Sequence, residues 1–177
     1  MSSTIGAPQN RDALRAHPTF RLAVQYASGD SETLPTRQQF RRWVRAALVQ
    51  QAEVVIRIVD RVEGQQLNRQ FRGKDYATNV LTFADHDVQP LMGDIVLCAP
   101  IILQEAQQQH KQLRAHYAHL TIHGILHLQG YDHLIESEAA AMERLESQIL
   151  SRFGYQNPYL ERETDVSLQP ARPECLT

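Results

Sequence analysis

Cysteine is scarce in this chain: Cys98 and Cys175 are the only two in 177 residues. One falls in a strand-like segment and the other in a polar tail. That leaves no disulfide framework and makes a reducing cytoplasm the expected compartment. Long apolar runs are missing too. No stretch approaches the roughly 20 residues that a membrane span requires, and Met1–Asn10 lacks the basic-then-apolar layout of a secretion signal. There is no internal repeat and no domain linker. The length suits one domain that buries its core without staples.

A large charge of one sign is also absent. The net charge of −2 argues weakly against a general nucleic-acid binder. Its distribution is uneven, however. Between Arg37 and Lys74 nine basic residues (Arg37, Arg41, Arg42, Arg45, Arg57, Arg61, Arg69, Arg72 and Lys74) face three acids, whereas from Tyr131 onward nine acids face four bases. Such a basic region supplies either a phosphate-binding surface or a solvated helix face.

Hydrophobic periodicity predicts an α+β domain with one small mixed sheet of about four strands and five or six helices. Strands are expected over Phe20–Tyr26, Val54–Asp60, Asn79–Ala84 and Gly93–Ala99. Thr36 is placed to cap a helix running to about Ala52, and Gly73 to stop a short one over Glu63–Arg72. Helices follow from Pro100 to about Gln109, over Ala115–Gln129, and over Ser137–Phe153 with Ala141, Leu145, Ile149 and Leu150 towards a core. Residues 1–18 read as a loosely ordered lead-in, 19–160 as the domain, and 161–177 as a polar tail.

The chemistry concentrates in Thr121–His133. His123 and His127 are four residues apart, so a helix presents both imidazoles to one point, as a zinc ion bound at about 2.0–2.1 Å requires. His133 on the same helix would lie about 15 Å beyond His123. The helix must therefore end, and Gly130 supplies the stop. Three imidazoles leave one tetrahedral position open, which is the layout of a catalytic zinc. Nickel or copper would suit three histidines as well. His116 and His119 read as packing groups or as supports for the ligands. Asp94 and Asp132 either orient ligands or cap turns.

The His-x-x-x-His-x-x-Gly-x-x-His spacing also occurs in metzincin proteases, whose first histidine is followed by the general-base glutamate. Here that position is Gly124. The carboxylate is missing, and a glycine inside a helix implies that something must approach closely.

His123-Gly-Ile-Leu-His-Leu-Gln-Gly-Tyr-Asp-His133 resembles the signature of the YbeY endoribonucleases. So does Leu67-Asn-Arg-Gln-Phe-Arg-Gly-Lys-Asp-Tyr-Ala-Thr-Asn-Val-Leu-Thr-Phe83, and Gly93-Asp-Ile-Val96 stands where that family has it. Ala77 departs from the proline common there. The resemblance covers roughly Phe20–Tyr159. It implies one zinc ion on His123, His127 and His133, a functional Arg72, and cleavage of single-stranded ribosomal RNA. It further implies small-subunit RNA 3′-end maturation and ribosome quality control, with the small subunit and assembly factors as partners. No membrane or DNA partner is expected. Two other readings stay open: a hydrolase of peptide or amide bonds, and a non-catalytic zinc-containing assembly factor.

Overall fold

Four short strands pair in the order β1-β2-β4-β3, where β1 is Phe20–Tyr26, β2 Ala52–Val59, β3 Val80–Asp85 and β4 Leu91–Cys98. In this computed structural model, which describes residues 18–29, 33–85, 87–131 and 136–160, β1, β2 and β4 run parallel and β3 is antiparallel to β4. Parallel neighbours need a crossover. Helix α1 (Arg37–Ala47) makes it between β1 and β2, and α2 (Arg61–Arg72) leaves the end of β2. Helices α3 (Ala99–Gln108), α4 (Leu113–Leu128) and α5 (Glu136–Ser151) complete a single α+β domain, as the periodicity predicts. Among the described residues no helix is long and apolar enough to cross a membrane. The lead-in up to residue 17 and the tail 161–177 lie outside the described residues.

Local signals account for most boundaries. Thr36 and Gln39 form a reciprocal capping box at the start of α1. Gly73 ends α2 with φ of 67°, a conformation that costs other residues more. Most boundaries fall within two residues of expectation, and one differs by more. Helix α1 stops at Ala47 rather than near Ala52, because two distant groups claim the chain there. Gln129 donates to Ala47 O at 2.9 Å and accepts from Val49 N at 2.9 Å, and Ala52 already pairs with Phe20 and Leu91 in the sheet.

The main core lies between one sheet face and helices α1 and α4. Val54, Ile56, Ile58, Ile95 and Leu97 meet Phe40, Trp43 and Val44 of α1 and Tyr117, Ile122 and Ile125 of α4. A smaller cluster on the other face joins Val59, Leu81, Val96 and Cys98 to Leu67 of α2 and Ile101 of α3. The rest of that second face, around Ala23, Val55, Phe83 and Asp94, forms an open groove.

Glu105 fastens α3 to its surroundings. It accepts from Asn79 Nδ2 at 3.1 and 3.0 Å and lies 2.8 Å from His116 Nε2. Burial pushes its carboxyl up, but the hydrogen bonds from His116 and Asn79 together outweigh burial and hold it below the ordinary 4.5. A depressed folded pKa means stability that is complete above pH 4.5 and lost as pH falls through the folded value. Glu105→Gln is therefore expected to cost about 1–2 kcal/mol at pH 7. Urea midpoints of variant and wild type should converge below pH 4.5; a constant gap would contradict this.

Candidate functional site

Helix α4 is enclosed almost completely. From His116 to Leu128 every residue is buried except His119, His123 and His127, which form a stripe at four-residue intervals facing α5. His123 Nε2 and His127 Nε2 stand 3.0 Å apart. Two nitrogens on one tetrahedral zinc would be separated by about 3.3 Å, so this pair fits one ion with a small adjustment. Gly130 has φ of 89°, and its N–H bonds to His127 O at 2.9 Å while Tyr131 N bonds to Leu126 O at 3.1 Å. The chain thus turns back directly after the second histidine, as the third ligand would require. His133 itself and Asp132 lie outside the described residues. Among the described residues no three such donors meet.

Glu146 of α5 sets the orientation of this pair. Its side chain is fully buried, with Oε1 2.7 Å from His123 Nδ1 and Oε2 3.1 Å from His119 Nε2. Tyr159 donates to the same Oε2. Burial drives the carboxyl up, but hydrogen bonds and charge from His119 and His123 prevail and hold it at about 2. An ionised carboxylate only accepts, so His123 must carry its proton on Nδ1, which leaves the Nε2 lone pair for the site. By the same logic His119 holds its proton on Nε2. Its Nδ1 is buried without a hydrogen-bond partner among the described residues, and burial pushes its pKa down, against the pull of Glu146.

Nothing in the histidine spacing pointed to Glu146 or Tyr159. A trace of Glu146 exists in the stripe Met142, Glu146, Ile149 and Leu150, where one charge interrupts the buried positions of α5. Ala141, expected towards the core, is exposed, and Met142 takes its place one step around the helix.

Two glycines let α4 sit this close to the sheet. A Cβ on Gly124 would lie 2.9 Å from Ile95 Cδ1 and 3.2 Å from its Cγ1 and Cγ2. Position 124 therefore faces β4 and could not present a general base beside the histidines, which removes the basis for a metzincin-like peptidase. A Cβ on Gly93 would meet Leu128 Cδ2 at 2.5 Å and Phe83 O at 3.0 Å. Asp94, next along β4, is exposed and lines the groove on the other face. Strand alternation thus turns it away from α4, and among the described residues it neither touches His123 or His127 nor caps a turn.

Arg72 ends α2 and is exposed, with Nη2 bonded to Thr82 O of β3 at 3.3 Å. Strand β3 also packs against α4, so one edge strand supports both Arg72 and the histidine helix. The basic stretch does not form a single surface. Arg57 is tied to Glu63 at 2.6 Å, Arg61 to Gln104 at 3.1 Å, and Arg69 lies 4.0 Å from Asp75. Three arginines of α1, Arg37, Arg41 and Arg45, instead lie over rings of β1, at the edge of the sheet away from β3.

Comparison with known proteins identifies the family. A family model described as endoribonuclease YbeY matches residues 25–154. The endoribonuclease YbeY of Nitrosomonas europaea is 64% identical over 139 residues, covering 78% of this chain and 84% of that protein. That of Nitrosospira multiformis is 51% identical over 173 residues, covering 89% and 92%. A Thermotoga maritima protein solved in solution aligns at a TM-score of 0.54 and 25% identity, over 89% of this chain and 100% of its own. With a family model spanning most of the chain and relatives this similar along nearly their whole length, the chain belongs to the endoribonuclease YbeY family.

Proposed function

We propose that this protein is a zinc-dependent, single-strand-specific endoribonuclease of the cytoplasm. It acts in 3′-end maturation of small-subunit ribosomal RNA and in ribosome quality control, with the small subunit and its assembly factors as partners. The observation that carries this reading is the pair of Nε2 atoms on His123 and His127, 3.0 Å apart, with Glu146 holding the first of them in one tautomer.

His123 and His127, together with His133 after the turn at Gly130, would hold the ion. Zinc in such a site supplies Lewis acidity at a phosphate oxygen or an attacking hydroxyl. The chain does the rest. Glu146 keeps the His123 lone pair directed outward. Arg72, anchored to Thr82 O through one N–H, has further planar donors for the charge that develops on phosphate oxygens during cleavage. Family membership and the RNA-cutting names of its relatives support the substrate class.

The test follows cleavage of a 3′-extended small-subunit RNA fragment by the purified protein. Metal removal is expected to stop cutting and zinc to restore it. Arg72→Ala should lower the rate by about 100-fold or more, in the range found when one charge-stabilising donor is lost. Cutting that survives both changes would refute the assignment.

A further inference from the structure

The outer face of α1 carries Arg37, Arg41, Arg42 and Arg45, and the helix contains no acidic residue. All four arginines are exposed. None has a carboxylate partner among the described residues, in contrast to Arg21 and Arg57 nearby, which pair with Glu53 and Glu63. Each guanidinium instead lies over an aromatic ring: Arg37 over Tyr26 at 5.6 Å, Arg41 and Arg45 over Phe20 at 4.8 and 5.9 Å, and Arg42 over Phe153 at 5.6 Å. Stacking of this kind restrains the side chains without cancelling their charge.

Arg37, Arg41 and Arg45 follow one another at four-residue steps, a stripe about 12 Å long. B-form DNA places one charge per strand about every 3.4 Å along its axis and an A-form RNA duplex somewhat closer, so that length spans about four phosphates. The protein as a whole is slightly acidic, which makes this stripe a localised feature. Strand β1, whose rings support the arginines, lies at the edge of the sheet opposite β3, where Arg72 is anchored.

From these observations we infer that the arginine face of α1 is a second RNA-docking surface, remote from the cleavage site, which grips the phosphate backbone of a base-paired part of the substrate. The inference rests on the nuclease reading for its ligand. Charge complementarity selects the occupant: a regular polyanion matches a stripe of restrained, unneutralised guanidinium groups. Phosphate contacts of this type fix the register of an RNA without reading its sequence.

The experiment compares wild type with the triple variant Arg37→Gln/Arg41→Gln/Arg45→Gln. The probe is a labelled RNA hairpin with a single-stranded 3′ extension, and binding is followed by anisotropy across salt concentrations. Loss of three phosphate contacts should flatten the slope of log K against log salt by about 2–3. In cleavage of the same RNA, KM should rise at least roughly tenfold while kcat changes less than about twofold. Replacing the three arginines by lysine should preserve most of the slope, whereas a packing defect would not be rescued in this way. An unchanged slope and KM in the glutamine variant would overturn the proposal. So would intact RNA binding combined with lost binding to phosphatidylglycerol vesicles, which would identify a lipid surface. Arginine-dependent binding without cutting would uphold the docking surface and refute the nuclease reading. Wild type that neither binds nor cuts RNA would overturn both.

Discussion

Replacing Glu146 with alanine is expected to destabilise the metal-free protein by about 3 kcal/mol and to weaken zinc binding by about 10–100-fold. The carboxylate is fully buried and serves His119, His123 and Tyr159 together. Removing it deprives three partly buried donors of a common, fully buried acceptor, and each such loss costs about 1–3 kcal/mol, partly offset because a buried charge disappears. The effect on zinc has a separate origin. Without a carboxylate at Nδ1, the His123 ring loses its fixed tautomer and rotamer. His127→Ala provides the contrast, since His127 is partly exposed and its Nε2 stands beside that of His123 at the proposed ion position. It should abolish tight zinc binding with little loss of stability. Urea denaturation of metal-free protein and zinc competition against a chelator separate the two effects. Full stability and zinc affinity in Glu146→Ala would show that the carboxylate orients nothing.

Gly93→Val is expected to cost about 3 kcal/mol, at the upper end of overpacking penalties. A glycine within a strand usually weakens it, so a β-branched replacement would ordinarily help. Contact reverses the sign here. The new Cβ would lie 2.5 and 2.9 Å from the two methyls of Leu128 and 3.0 Å from Phe83 O. Leu128 is fully buried, so its methyls give way only by repacking their neighbours, while the Phe83 carbonyl is backbone of the β3 strand paired with β4. Gly93→Ala should show the same sign with a smaller magnitude. Leu128 follows His127 directly, so both variants should also lower zinc affinity. A variant as stable as wild type in urea would mean that α4 tolerates displacement from the sheet.

The elements legible in the sequence were those governed by neighbours along the chain. The capping box of Thr36 and Gln39, the glycine stop at residue 73 and the four-residue histidine step are local, and each appears where expected. The end of α1 was not legible, because Gln129 imposes it from 82 residues away. The core face of helix α5 is legible at Leu145, Ile149 and Leu150; it differs only at its start, where Met142 rather than Ala141 is buried, since the two suit a core position about equally in pattern. Glu146 was overlooked for a physical reason. A buried carboxylate is explicable only when its donors are known, and these come from α4 and from Tyr159 beyond α5. Gly124 was legible as a close approach, and only the fold identified Ile95 as the group approaching. The basic stretch looked continuous because sequence proximity conceals the fact that α1 and the end of α2 stand at opposite edges of the sheet.

The enclosure of α4 has a consequence for dynamics. A helix covered by the sheet, α1, α3 and α5 is open only along its histidine stripe and at its first turn, so its central amides are expected to exchange with solvent mainly when the domain opens as a whole. His123 and His127 are therefore expected to ride on a slow-opening segment, which amide hydrogen exchange would check. The order that an arriving ion would otherwise have to impose on this half of its site is already present when the chain folds, and the conformational entropy lost there belongs to folding rather than to ion capture.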